Sequence, residues 1–328
     1  MGESDHTLVG RLRLVALDSP YGDVSIESDA ARPFGVSIGD ASNLSPADAL
    51  AAADGADGVL VCHLKLDAGV IARFPTWRVI GRFGAGFDNV DVEAASRARI
   101  AVVNVPDYCV EEAATHTAAL VLAAWRKLFQ ARRLVDSGGW TELSPLLPIP
   151  PLSRCTLGLV GAGRIGTEVV RRLGPFFAEV IAYAPSRRVP SGARWADLET
   201  VFAQSDVLSL HCPLTPETAN LVDAARLESM KSGALLVNVS RGGLLDATAV
   251  AEALRSERLG GLALDVLPTE PPPADEPLLR LSNVVCTNHI AWYSEDSTVR
   301  LRQLLGERCA AYLVDRPVPS VVNAEALA

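Results

Sequence analysis

Leu157-Gly158-Leu159-Val160-Gly161-Ala162-Gly163-Arg164-Ile165-Gly166 is the stretch on which the fold of this chain turns. An apolar strand runs into G-x-G-x-x-G and on into helix-compatible sequence. Gly161 permits the tight turn, Gly163 lets the backbone come close to a pyrophosphate, and Gly166 lets the helix lie against the strand. The helix that Arg164 and Ile165 open presents unpaired N–H groups and a partial positive charge to phosphate. A glycine-rich turn alone is only a turn. Set between an apolar strand and a helix, it predicts dinucleotide binding by Gly161, Gly163, Arg164, Ile165 and Gly166.

Working outward, strands are predicted at 155–160, 179–184, 206–210, 234–239, 261–265 and 284–287, with helical sequence between most of them. That alternation predicts a doubly wound parallel sheet. An earlier set has strands at 11–18, 57–62 and 78–83 and an Ala-rich helical run at 46–54. Between the two sets, 107–136 carries Ala114, Ala118, Val121, Leu122 and Trp125 at three- and four-residue spacing, which predicts one long helix ending near Ser137-Gly138-Gly139. The Pro-rich 144–151 is neither regular helix nor central strand. A last helix, about 295–314, follows the completed sheet and is expected to return to the first domain. The expected fold class is α/β: two Rossmann-like or flavodoxin-like domains with doubly wound parallel sheets and a cleft between them. The expected domains are 1–105 plus 293–328, binding substrate, and 106–292, binding the dinucleotide.

Composition narrows the function. With 49% hydrophobic but only 5% aromatic residues, Ala, Val and Leu build the core, as suits helices on buried parallel strands. That core needs no disulfide or metal. A net charge of -9 makes nucleic acid and anionic membrane poor partners, although a local basic pocket can still hold a small anion. Cys62, Cys109, Cys155, Cys212, Cys286 and Cys309 form no C-x-x-C pair and read as buried free thiols in a reducing compartment. Met1-Gly2-Glu3-Ser4-Asp5-His6 is no signal peptide, and the longest apolar runs are of strand length. A cytoplasmic protein is expected.

About 20 residues beyond the glycine turn, an acid at a strand end would bind the ribose 2′-hydroxyl of NAD. Here the segment reads Val180-Ile181-Ala182-Tyr183-Ala184-Pro185-Ser186-Arg187-Arg188, with Ala184 in the acid's place. No carboxylate repels a 2′-phosphate, and the two guanidinium groups can bind one. Ser186, Arg187 and Arg188 therefore predict NADP(H), with NAD(H) as the alternative if both arginines are solvated.

Three ionisable residues lie near the ends of predicted strands: Arg241 in Asn238-Val239-Ser240-Arg241-Gly242-Gly243, Glu270 in Pro268-Thr269-Glu270-Pro271, and His289 in Thr287-Asn288-His289-Ile290. In open α/β sheets, ligands gather at that rim. Oxidising a secondary alcohol needs a base for the hydroxyl proton, and histidine can take it and return it in reduction. A carboxylate partner orients an imidazole and favours its protonated form. A guanidinium can grip a carboxylate with two hydrogen bonds. His289 would be the acid/base, Glu270 its partner and Arg241 the anchor.

Taken together, these segments resemble the D-isomer-specific 2-hydroxyacid dehydrogenase family, from about Asp57 to about Asn323. The motifs are Gly81-Arg82-Phe83-Gly84-Ala85-Gly86-Phe87-Asp88-Asn89-Val90-Asp91, the glycine turn, Leu210-His211-Cys212-Pro213-Leu214-Thr215-Pro216-Glu217-Thr218, the Arg241 segment, Asp265 to Glu270, and Asn288-His289-Ile290-Ala291-Trp292-Tyr293-Ser294-Glu295. The style is closest to the C-terminal-binding-protein branch, with phosphoglycerate dehydrogenases next. The resemblance implies that Arg241, Glu270 and His289 are the catalytic trio. It implies that residues 84–86 meet the substrate carboxylate and that Trp292 walls the pocket. Thr117, His211, Cys212, Pro213, Thr218, Val239 and Ser240 would line the cofactor, and Asp265 would hold its carboxamide. It further implies a homodimer through the cofactor domains, with an arm around 125–150, and a cleft that shuts during turnover. Ala184 for the usual Asp, Thr115 for a frequent acid and Asn288 for the common Pro depart from the family pattern, but none removes a catalytic group.

Lys65, in His63-Leu64-Lys65, would bind a second anionic group on the substrate, the alternative being a solvated lysine. Three functions are therefore carried forward: a reductase of 2-oxo acids, an enzyme acting on a phosphorylated or phosphonate acid, and a cofactor-sensing interaction protein of the C-terminal-binding type.

Overall fold

Twelve strands form two separate parallel sheets in the computed structural model, which describes residues 12–328. The segment Met1-Gly2-Glu3-Ser4-Asp5-His6 and the first residue of the 11–18 strand lie outside the described residues. The first sheet contains β1 (Arg13–Ala16), β2 (Ser37–Asp40), β3 (Gly58–Val61), β4 (Val79–Arg82) and β5 (Ala101–Val103), in the order β2-β1-β3-β4-β5. That is the flavodoxin-like order. The second contains β6 (Thr156–Val160), β7 (Glu179–Tyr183), β8 (Arg194–Trp195), β9 (Val207–Leu210), β10 (Ala234–Asn238), β11 (Leu259–Leu264) and β12 (Val284–Cys286). Its order, β12-β11-β10-β9-β6-β7-β8, reverses between β6 and β9, as in a dinucleotide-binding sheet.

The central strands are buried on both faces because they are mostly runs of Val, Leu, Ile, Ala and Gly, as in Gly58–Val61 and residues 157–160. Parallel sheets covered by helices on both sides select such runs. One core around Leu208, Leu236, Leu262 and Phe202 and another around Leu157, Leu159, Val169 and Val237 cover the two faces of the second sheet. Each fully buried side chain of this size stabilises by about 1.5–3 kcal/mol relative to exposure.

By density of contacts the chain divides into two units. One takes in the described residues up to Cys109 together with Ser294–Ala328, the other Val110–Tyr293. The first division falls four residues beyond the expected 105. The reason is local: Val105 N–H donates to Gly84 O, and Arg308 holds Asp107 with two hydrogen bonds of 2.9 and 2.8 Å. The helix Glu295–Leu313 packs on the helix Ser25–Ala31, where buried Arg302 bridges to Glu27.

Several expectations need correction. The single helix over 107–136 is two, Val110–Trp125 and Leu128–Asp136, separated where Lys127 takes a left-handed φ of 52°. Three short strands, β2, β5 and β8, were not predicted. Cys212 and Cys286 are only partly buried, while the other four thiols are buried; burial nevertheless pushes both up to about 11. Among the described residues, no helix is long and apolar enough to cross a membrane.

Candidate active site

The glycine turn lies where the second sheet reverses its strand order. Gly161 follows β6 with φ +103°, and a Cβ there would stand 2.4 Å from the carbonyl oxygen of His211, which follows β9. Only glycine permits both the angle and the approach. At Gly163 the space a Cβ would take has no protein atom within 4 Å, and the helix Arg164–Leu173 that it starts has no side-chain cap. An open cradle at an uncapped helix N-terminus fits a pyrophosphate.

The remaining cofactor candidates differ in placement. Thr218 Oγ1 donates to Pro213 O at 2.7 Å and accepts from Thr215 N–H, which orders the loop carrying Cys212. Ser240 Oγ donates to Leu210 O at 2.8 Å and its N–H to Asn238 Oδ1, which fixes the backbone beside Val239. Thr117 is fully buried with its hydroxyl on Ala113 O, so it offers no surface to a ligand as it stands. His211 pairs Nε2 with Ser209 Oγ at 2.9 Å, while its buried Nδ1 has no partner among the described residues.

Burial lowers His211 to about 4. The unfolded imidazole takes up a proton below about 6.5 and the folded one resists. Stability from this group is therefore complete above about 6.5 and lost as pH falls toward 4, by up to about 3 kcal/mol. Urea titrations of wild type and His211→Gln at pH 7 and 4.5 should find a smaller pH loss in the variant. Equal losses would mean that His211 is not shielded as described.

After β7, Ala184 is buried, and its carbonyl accepts from Arg187 N–H and from Trp195 Nε1. Ser186, Arg187 and Arg188 are exposed. The Arg187 guanidinium stands 4.8 Å from the centre of the Trp195 ring, a cation–π platform that fixes its plane. Trp195 was not singled out in the sequence, because its tie to this turn is made across strands.

Arg241, Glu270 and His289 follow the adjacent strands β10, β11 and β12. Glu270 Oε1 accepts from Leu267 N–H at 2.8 Å, and Oε2 meets His289 Nδ1 at 2.5 Å. Burial pushes the Glu270 carboxyl up. The hydrogen bonds from His289 and Leu267 and the charges of His289 and Arg241 outweigh it and hold the group below its ordinary range. An ionised Glu270 can only accept, so Nδ1 carries the proton and Nε2 is the nitrogen left to exchange one. Arg241 Nη1 donates to Ser240 O, and Asn238 Nδ2 donates to Arg241 O, tying this residue's backbone to the end of β10. The two loops touch at Gly242, where a Cβ would stand 2.0 Å from the Leu267 carbonyl carbon. Trp292 Nε1 donates to His289 O at 2.8 Å.

Asp265 is 1% exposed and braces the His289 loop. Its carbonyl accepts from His289 N–H, Oδ1 from Thr287 Oγ1 and Ile290 N–H, and Oδ2 from Ala291 N–H. These bonds hold His289 at a φ of 56°.

In the other unit, residues 84–86 follow β4. The carbonyls of Gly84 and Ala85 are held by Val105 N–H and Asn104 Nδ2. Lys65 is exposed on the loop after β3, which Asp18 shapes by accepting from the N–H groups of Cys62, His63 and Leu64.

Residues 118–291 match the family described as D-isomer specific 2-hydroxyacid dehydrogenase, NAD binding domain. The chain belongs to that family. It is 35% identical over 277 residues to a glyoxylate reductase of Thermofilum pendens, covering 82% of each protein. It is 38% identical over 269 residues to a D-3-phosphoglycerate dehydrogenase of Archaeoglobus fulgidus, covering 81% of this chain. The match spans about half, 51%, of that longer relative. A solved structure of an acyclic imino acid reductase with NADPH and D-Arg is similar at a TM-score of 0.85 and 27% identity, covering 95% of this chain and all of that one. For a 2-hydroxyacid dehydrogenase of this family, the resemblance read from the motifs and the α/β fold with two parallel sheets both stand. The NAD-binding part of the match contains Arg241, Glu270 and His289.

Proposed function

We propose that the chain is a working oxidoreductase acting between NADP(H) and C2 of a D-2-hydroxy or 2-oxo acid. The observation that carries this reading is the 2.5 Å pair of His289 Nδ1 and Glu270 Oε2, with Arg241 close enough for its charge to act on the same carboxylate. When bound, NADP(H) would supply the hydride chemistry at C2 of the acid. His289 gives its Nε2 proton to the carbonyl oxygen in reduction and removes it in oxidation. Glu270 orients the ring through Nδ1. Arg241 grips the substrate carboxylate, and Trp292, anchored on the His289 carbonyl, walls the acid's side chain.

Gly161, Gly163, Arg164, Ile165 and Gly166 would hold the pyrophosphate. His211, Cys212, Pro213, Thr218, Val239 and Ser240 would flank the nucleotide. Asp265 would accept from the carboxamide through Oδ2, which takes the Ala291 N–H and has a second lone pair. Arg187 on its Trp195 platform, with Ser186 and Arg188, would take a 2′-phosphate where Ala184 leaves no repelling acid. In its own unit, the loop 84–86 is the carboxylate-binding element we assign. Lys65 would take a second anionic group, which favours a phosphorylated acid among the substrates.

An absorbance assay at the nicotinamide band tests this, with NADPH and NADH against a panel of 2-oxo acids that includes phosphorylated ones. Turnover with a KM for NADPH at least about tenfold below that for NADH is expected. A tenfold preference for NADH overturns the cofactor assignment. Cofactor binding with no turnover on any acid favours the sensing protein instead.

The second unit exposes Leu128, Phe129, Val135, Trp140, Leu143 and Leu147 on one continuous segment, with Trp140 82% exposed. Apolar surface of this extent marks an association site. A homodimer through this segment is the assembly we propose. Sedimentation should find a dimer that Phe129→Glu with Trp140→Glu dissociates; a wild-type monomer at micromolar concentration rejects it.

A further inference from the structure

His116 sits on the helix Val110–Trp125, which packs behind β10, β11 and β12. Its side chain is 21% exposed, and its Nε2 lies 2.9 Å from Thr287 Oγ1 and 3.5 Å from Asp265 Oδ1. Thr287 has one hydroxyl proton and three possible acceptors in reach, Asp265 Oδ1 at 2.6 Å, His116 Nε2 at 2.9 Å and Leu264 O at 3.2 Å. The nearest, charged acceptor takes it. Thr287 Oγ1 must then receive the Nε2–H of His116, which sets the tautomer of that ring. A chain results: His116 to Thr287, Thr287 to Asp265, and Asp265 to the N–H groups of Ile290 and Ala291. Through its carbonyl, Asp265 also holds the N–H of His289.

The loop being held needs support. His289 is a non-glycine residue with φ 56°, a conformation that persists only where its surroundings impose it. Asn288 stands before it with no proline to stiffen the approach. We infer that His116 is a positioning residue: it orders Thr287 and Asp265 so that the His289 imidazole keeps its place on Glu270.

The inference rests on His289 being the acid/base, so His289→Ala is the reference throughout. Steady-state kinetics with NADPH and glyoxylate, or whichever 2-oxo acid the wild-type chain turns over fastest, would compare six variants of the full chain. These are His116→Ala, His116→Gln, Thr287→Val, Thr287→Ser, the pair H116A/T287V, and His289→Ala. His116→Ala and Thr287→Val are each expected to lower kcat by about tenfold to a hundredfold, as a small displacement of a reacting group does, while KM for NADPH stays within about twofold of wild type. Glutamine carries an N–H at nearly the same reach, and serine keeps the hydroxyl, so both should recover most of the rate. Because the two residues act in one chain, the double variant should be little worse than the worse single.

Wild-type kcat in His116→Ala, a loss confined to KM for NADPH, or no recovery in His116→Gln and Thr287→Ser would each overturn the inference. Should His116→Ala fail to fold, the contrast between Thr287→Val and Thr287→Ser decides. A near-normal rate in His289→Ala sinks the acid/base reading itself. An inactive His289→Ala beside a fully active His116→Ala sinks only the role of His116.

Discussion

His289→Ala is expected to lower turnover by about 10²- to 10⁴-fold and to leave the affinity for NADPH nearly unchanged. The rate falls because the variant removes Nε2, the one ring nitrogen not committed to Glu270. Cofactor affinity persists because the glycine turn at 161–166 lies beside β6 and β9, while His289 follows β12 at the far edge of the sheet. Rate and affinity should therefore separate cleanly. Single-turnover kinetics gives the first and fluorescence titration of NADPH the second. Parallel loss of both would mean that the loop around His289 shapes the nucleotide site; a near-normal rate would mean that another group moves the proton.

Gly242→Ala is expected to cost about 3 kcal/mol of stability, at the upper end for overpacking. The added Cβ would stand 2.0, 2.2 and 2.3 Å from the carbonyl carbon and oxygen of Leu267 and the nitrogen of Pro268. Those are backbone atoms and cannot swing aside as a flexible side chain can. The turn bearing Arg241 and the loop leading to Glu270 must then part, so activity falls with stability. For a unit of this size the midpoint of thermal unfolding should drop by about 6–12 °C. Gly163→Ala is the control: no protein atom lies within 4 Å of its Cβ. It should leave the midpoint within about 2 °C and weaken cofactor binding instead. A Gly242→Ala protein as stable as wild type would show that the two loops do not meet as described.

Much of this architecture was legible because parallel strands buried on both faces are nearly continuous apolar runs, and Gly58–Val61, Thr156–Val160, Val207–Leu210 and Ala234–Asn238 carry at most one polar residue each. Two of the missed strands lack that signal, and the third, β5, has it over only three residues, Ala101–Val103. β2 is a half-buried edge strand, Ser37–Asp40, and β8 has two residues at an edge of the second sheet. The break at Lys127 was hidden because lysine is a good helix former and neither Gly nor Pro marks the left-handed turn. The places of Arg241, Glu270 and His289 after three apolar strands were readable, and their proposed roles came from the family resemblance. His116, Thr287 and Trp195 were not readable. His116 and Thr287 meet across 171 residues, and Trp195 reaches Ala184 and Arg187 from the neighbouring strand β8; no local pattern encodes either pairing.

In the proposed reaction, hydride passes to C2 while His289 handles the proton. Wild-type protein supplied with NADPH carrying deuterium at the transferable C4 position, together with its fastest 2-oxo acid, tests this most directly by mass spectrometry of the product. The account predicts a 2-hydroxy acid with one deuterium at C2, formed by wild type and nearly absent with His289→Ala. A product without deuterium, or equal labelling by the variant, would contradict it.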